Sequence, residues 1–539
     1  MPLHFPPWVS WHSEVVVFLA IFMASTLAVA RHGIANRLSL PVAALLFIGL
    51  TLLVSVQWAA GLITFGGDAL VLILYLALCA MCWTLGFSGG QTDRAHILDA
   101  LAWVLLTASL LSAVVALVQV LDVWDSAQWV VRMPQLRRPG ANLGQPNQLA
   151  TLLLMGLASA VYLYETRKIS ALCLFPIFAV LSIGLATTES RTAILSYLSL
   201  TAWWLVGRVR VGFRLPWQAV LVAATVFLAT FWFWPMLMSS SEPSFGTNAV
   251  VDTRAGLRLV VWPQLLHAVA MEPWLGWGLR EVSEAHNAVA HAYPVSEPYT
   301  YAHNLLLDLA IGFGVPLTAL LVVAATAWIW RRVRAVTTVD YWYCVAAVLP
   351  VAVHAMLEFP HAYAYFLAPT MILLGVLDGA RTGTLRFHLP GWLIASSLAL
   401  LCILGGGTVV EYLQIEEDFR IVRFQDLRVG QTPSDYERPQ IRLLTQLDAL
   451  LEVGRINPAP GMDRKEIELA RKVALRFPWP ATQKRYALSL ALNGEPAEAR
   501  RQMLVIRALH GEKVYHELKA DWAILALQKY PQLATVGLP

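Results

Sequence analysis

Charge is scarce in this chain. Asp, Glu, Lys and Arg make up 14% of its 539 residues, against about 25% in ordinary soluble domains, so a freely soluble enzyme is excluded as a description of the whole. Cysteine is nearly absent too. The five present, Cys79, Cys82, Cys173, Cys344 and Cys402, stand inside apolar runs, which excludes a disulfide scaffold and reads even the Cys79/Cys82 spacing as packing rather than zinc ligation. The net charge of +4 is small and dispersed, so the concentrated basic face that nucleic acid requires is missing and no nucleic-acid partner is expected. Disorder is excluded by a hydrophobic content of 58%. The charge that is present is uneven, about 9% over the first three quarters and about 27% beyond Gln414. Two environments share one chain.

Apolar stretches of about 17 to 25 residues, each able to cross a hydrocarbon core, recur twelve times. They lie near 14–30, 38–56, 70–87, 97–121, 148–164, 171–186, 192–206, 215–237, 304–330, 342–357, 363–377 and 392–412. The expected fold is therefore all-α, a polytopic membrane protein of about 12 transmembrane helices over residues 1–412. A long loop near 238–302 interrupts it, and a small helical, tetratricopeptide-like domain over 413–539 follows it.

Cations resist translocation, so short-loop Arg and Lys mark the cytoplasmic side. One set of loops holds thirteen of them, from Arg31 and Arg37 through Arg94, Arg208 and Arg331 to Arg386; the opposite set holds only Arg132, Arg137, Arg138 and Arg191. The long loop, the N-terminus and the tail then lie outside. An outward N-terminus with no preceding signal suggests that this start site lies downstream of one further span.

Four outer segments carry groups that are costly near a bilayer. In 138–151, Asn142, Gln145, Asn147 and Gln148 form a hydrogen-bonding platform for a polyhydroxylated ligand, or else a loop with Asn147 as helix cap. Arg191 breaks the charge rule in a short hairpin; the plainer reading is snorkelling. Within 252–278, Arg254, Arg258 and Trp262 sit in a helical pattern that puts the last two on one face, as an interfacial helix would without any chemistry. His303 opens a long apolar helix, either as a cap or as a base, since a helix N-terminus disfavours imidazolium and favours a neighbouring anion.

These segments resemble the Wzy/WaaL/PglL superfamily of O-antigen polymerases, O-antigen ligases and bacterial O-oligosaccharyltransferases. Asn142-Leu143-Gly144-Gln145-Pro146-Asn147-Gln148-Leu149-Ala150-Thr151 is similar to the signature of the PglL-type branch, and Ser190-Arg191-Thr192 to the superfamily's Ser-Arg-Thr. Arg258 through Trp262 and Pro273-Trp274-Leu275-Gly276-Trp277-Gly278 resemble its Arg-x-x-x-Trp and Pro-x-x-Gly-x-Gly. Ala302-His303-Asn304 resembles its Ala-His-Asn step, and His354, Glu358, Phe359 and Pro360 resemble the branch's His-x-x-x-Glu-aromatic-Pro segment. Pro2, His4, Pro7, Trp8 and Glu14 look like a loop that follows a first span in relatives. Gly312 stands where relatives often carry an acid.

The resemblance implies transfer of a preassembled oligosaccharide from an undecaprenyl-pyrophosphate-linked glycan donor to Ser/Thr hydroxyls of pilin-like or other periplasmic proteins, by one inverting displacement at the periplasmic face of the bacterial inner membrane. His303 would be the catalytic base, with Arg191 and Arg258 on the donor pyrophosphate and Arg254 the next candidate. Asn142, Gln145, Asn147, Gln148, Trp262, Asn304, His354 and Glu358 would bind substrate or hold the site. No cofactor is expected, and metal independence with it. Ligation to lipid A-core and O-antigen polymerisation stay open as alternatives, and outside the class a transporter.

Overall fold

The computed structural model describes residues 7–121, 138–239, 254–379, 385–427, 432 and 436–538. Among them the chain forms eighteen α-helices: α1 Trp11–His32, α2 Ala43–Ala59, α3 Gly66–Thr92, α4 Arg94–Leu121, α5 Pro146–Glu165, α6 Ala171–Thr187, α7 Arg191–Val211, α8 Trp217–Ser239, α9 Arg254–Met271, α10 Val282–Ala290, α11 Leu305–Arg334, α12 Val339–Ala355, α13 Ala364–Gly379, α14 Gly391–Asp426, α15 Thr445–Arg455, α16 Arg464–Arg476, α17 Pro480–Leu492 and α18 Pro496–Gln528. All twelve apolar stretches are helical, as α1–α8 and α11–α14. Seven of these (α1, α3, α4, α5, α8, α11 and α14) have the length and apolarity to cross a membrane, and α2, α6, α12 and α13 are shorter apolar helices. The chain is an all-α, multi-pass membrane protein.

Lipid offers no hydrophobic drive between helices, so close approach of small residues holds them together. Gly86 and Gly90 on α3 face Gly375 and Gly379 on α13. A Cβ at Gly86 would stand 2.0 Å from the Ile372 carbonyl oxygen, and one at Gly375 2.2 Å from that of Trp83. Helix α5 is the most enclosed span, its Ala150, Ala158, Ser159 and Ala160 all buried among α4, α6, α7 and α12.

One predicted boundary is corrected. The stretch expected to enter the membrane at Leu38 starts as a strand, β1 Arg37–Pro41, paired antiparallel with β2 Arg386–Pro390 in the register Ser39 to His388. Its backbone groups are satisfied by that pairing, so α2 begins only at Ala43. The short ribbon ties the end of α1 to the start of α14.

Helix α11 breaks at Gly314, whose φ of +76° lies in the left-handed region, two residues before Pro316. The segment 273–278 occupies the break: Trp277 N donates to the Ile311 carbonyl at 2.7 Å and Val315 N to that of Pro273 at 2.8 Å. Gly276 has φ +72°, and a Cβ there would lie 2.4 Å from the Ile311 oxygen. The glycines of the Pro-x-x-Gly-x-Gly pattern are thus required by backbone approach. Gly312 is filled in too: its carbonyl accepts from Gln57 Nε2 at 2.7 Å, and a Cβ would meet the Leu279 side chain at 2.8 Å.

Helix α14 runs on past Tyr412 into the charged tail, where α16, α17 and α18 stack as helical hairpins over Ala470, Ala474, Tyr486, Met503 and Ile506. The tail is fastened to the rest. Arg476 of α16 donates twice to the Asp68 carboxylate in the first turn of α3, at 2.7 and 2.8 Å, with both side chains buried. Ser296 N also donates to the Ala508 carbonyl at 2.8 Å, and Gly67 N to Thr445 Oγ1 at 3.0 Å.

Candidate active site

The backbone around His303 is held from four directions. Asn304 caps α11, its Oδ1 accepting from Leu306 N and Leu307 N at 3.0 and 3.1 Å, while its Nδ2 donates to the Met356 carbonyl at 3.0 Å. Asn304 is therefore the cap and His303 is not. Ala302 N donates to Asp308 Oδ1 at 2.7 Å, and the Ala302 carbonyl accepts from Trp262 Nε1 at 2.9 Å. These contacts keep His303 at φ +56°, a conformation that a non-glycine residue holds only when its surroundings over-determine it.

Glu358 is the meeting point. Arg258 Nη2 forms a salt bridge and hydrogen bond to its Oε1, Asn147 Nδ2 donates to the same oxygen at 3.2 Å, and His303 Nε2 stands 3.3 Å from Oε2. All three come from segments more than fifty residues from Glu358. His303 Nδ1 faces the Tyr301 carbonyl at 3.0 Å, so both ring nitrogens meet acceptors, and one proton shared between Nε2 and the carboxylate satisfies the pair. The ring expected to stand free at the helix start is instead faced by the Glu358 carboxylate.

The expected cap at Asn147 is corrected as well. Gln145 caps α5, its Oε1 accepting from Gln148 N at 2.7 Å, because Pro146 takes the first helical position. That frees Asn147 to reach across: besides Glu358 it accepts from Ser190 Oγ at 2.6 Å. Ser190 in turn caps α7 through Ala193 N, which fixes Arg191 at the helix start. Arg191 is exposed, and among the described residues it makes no hydrogen bond or ion pair.

Other predicted residues lie around this centre. Gln148 is buried and accepts from the Tyr365 hydroxyl at 2.7 Å. His354 is buried beneath, its Nδ1 2.8 Å from Thr151 Oγ1 and its Nε2 without a hydrogen-bond partner among the described residues. Asn142 is exposed at the rim. Arg138 donates to the Thr188 carbonyl at 2.9 Å. The side chain of Arg254, and Arg137 altogether, lie outside the described residues.

Sequence reasoning missed the aromatic shelf. Tyr301 stacks on Phe359 with centroids 4.8 Å apart, Phe359 meets His303 edge-on at 4.8 Å, and Tyr363 stacks beyond at 5.9 Å. It missed the support below as well. His286, Gln264 and Ser296 bond one another within α9, α10 and the following loop, and burial pushes the His286 imidazole down to about 4. Beside the shelf, burial pushes the Glu281 carboxyl up to about 8, with the charge of Asp68 adding to it.

Comparison with known proteins bears on the chain as a whole. Three family models match: protein glycosylation ligase over residues 139–164, O-antigen ligase over 176–322, and the C-terminal part of virulence factor membrane-bound polymerase over 342–524. The chain is also 27% identical over 542 residues to the general O-oligosaccharyltransferase of Acinetobacter baylyi, covering 98% of this chain and 92% of that protein. It is a glycosyltransferase, and it is similar to the PglL-like O-oligosaccharyltransferases. The ComP-specific O-oligosaccharyltransferase of the same organism is 27% identical over 342 residues, 62% of this chain and 60% of its own length. No solved structure matches. In this glycosyltransferase the first model contains Asn147, the second Arg191, Arg258, Trp262 and His303, and the third Glu358. The folded site draws on all three.

Proposed function

We propose that this protein transfers an oligosaccharide from undecaprenyl pyrophosphate to Ser or Thr hydroxyls of periplasmic, pilin-like proteins at the outer face of the inner membrane. The observation that carries the reading is the convergence of His303 and Arg258 on Glu358, with Arg191 set beside them through Ser190 and Asn147.

The acceptor oxygen attacks the anomeric carbon while the bond from that carbon to the pyrophosphate oxygen breaks, inverting the centre. The hydroxyl proton passes to the His303–Glu358 pair. Negative charge develops on the departing pyrophosphate. Arg191 meets it directly; Arg258 meets it by turning from Glu358, since guanidinium forks match phosphate oxygens bidentately. The chemistry proceeds without a metal ion, the two guanidinium groups supplying the charge stabilisation.

A purified assay with lipid-linked oligosaccharide and an acceptor protein tests this, with mass spectrometry locating the glycan. His303→Ala should lose transfer by on the order of 10²–10⁴ while still binding donor, and Arg191→Lys should lose on the order of 10²–10³. Wild-type rates in His303→Ala would remove the base assignment. Glycan found on lipid A-core and on no protein would transfer the reading to ligation, which the O-antigen ligase match favours.

A further inference from the structure

A groove of about 200 Å³ runs between α1, α3 and α14. Its walls are mostly apolar, with Phe18 and Phe22 from α1, Val71 and Leu74 from α3, Leu401 and Val409 from α14, and with Glu14 and Tyr75 as a polar pair bonded to each other at one end. Along α3 it extends from Val71 to Met81, about 15 Å by helical rise. On the α14 side Gly405 and Gly406 form part of the lining. Glycine is unfavourable in the middle of a helix, yet among the described residues no atom lies within 4 Å of a Cβ built at either position. The missing side chains leave open space and bring no helix closer.

One end of the groove joins the candidate active site. There the Tyr75 hydroxyl donates to Glu14 Oε2 at 2.7 Å and stands 3.2 Å from the Ala362 carbonyl, and Glu14 Oε2 also accepts from Ala364 N at 2.7 Å. Between Ala362 and Ala364 lies Tyr363, the outer ring of the shelf that leads through Phe359 to His303. A cation stands beyond this end, outside the lining of the groove itself. Arg280 is held at φ +68° with its guanidinium 5.9 Å from the Tyr301 ring centre. Arg476 occupies both oxygens of Asp68, so Arg280 is left at 3.8 Å from that carboxylate, with its side chain 24% exposed. An apolar trough that ends at a weakly paired cation complements an anionic lipid, chain along the trough and phosphate at its head.

We propose that the groove between α1, α3 and α14 seats the polyprenyl chain of the donor, with Arg280 facing its phosphates. This rests on the donor class proposed above. The test compares a donor on the full undecaprenyl chain with one on a geranyl chain, too short to run the length of the trough, in Gly405→Leu, Gly406→Leu and Arg280→Gln. The glycine variants should raise KM for the long-chain donor by on the order of tenfold, the loss expected for a few displaced methylenes, and leave kcat/KM for the geranyl donor at the wild-type value, which also shows that they fold. Arg280→Gln should raise KM for both donors, with partial rescue in Arg280→Lys. Equal effects of Gly405→Leu on the two donors, or none on either, would overturn the groove as the chain's seat and leave it to ordinary membrane lipid. An unchanged KM in Arg280→Gln would remove the cation from it. Failure of the wild-type protein to use either donor would instead count against the donor class itself.

Discussion

At the scale of single residues the chemistry gathers on one carboxylate. Glu358 holds Arg258, Asn147 and His303 in mutual register, so it acts as a positioning residue and as half of the proton-accepting pair. Glu358→Gln keeps the shape and removes the charge. We expect kcat to fall at least about tenfold while KM for donor stays level or drops, because Arg258 is released toward the pyrophosphate. Steady-state kinetics on both substrates check this, and a raised donor KM with unchanged kcat would contradict it. His303, Arg191 and Arg258 stand out in the sequence because cationic and imidazole groups near a bilayer are costly without a purpose. Glu358 stands out only as part of a family segment. Its central place is illegible there, since its three partners lie far apart along the chain and spacing says nothing about such convergence.

At the scale of elements, long apolar runs make the membrane helices easy to read, for length and hydropathy alone decide them. Short-range detail is harder. The strand at Arg37–Pro41 merges in sequence with the apolar run behind it, and its partner lies roughly 350 residues on. Asn147 looks like the better cap of α5, but Pro146 fixes the first helical position and leaves Gln145 in that role. The kink of α11 depends on chain segments that fit only without side chains. Gly276→Ala places a methyl 2.4 Å from the Ile311 oxygen at a φ of +72°, and we expect a loss of at least about 2 kcal/mol of stability. A thermal scan in detergent reads this as a lower midpoint. Gly405→Ala, whose added methyl faces open space within a helix, is the control expected to leave the midpoint level or slightly higher.

At the scale of the whole molecule the tail is a structural partner of the membrane helices. Arg476→Ala deprives the buried Asp68 carboxylate of its bidentate partner, and removing one member of such a pair costs about 3–5 kcal/mol. The double variant Asp68→Asn with Arg476→Met should recover much of that loss, again by thermal scan; additive losses would mean that the two residues act independently. The pair also has a temporal consequence. Asp68 emerges early in synthesis and its bidentate counter-ion more than four hundred residues later, so a chain that ends before Arg476 leaves that buried acid with the looser contact to Arg280 at 3.8 Å. Completion of the polypeptide is thereby written into the stability of its beginning.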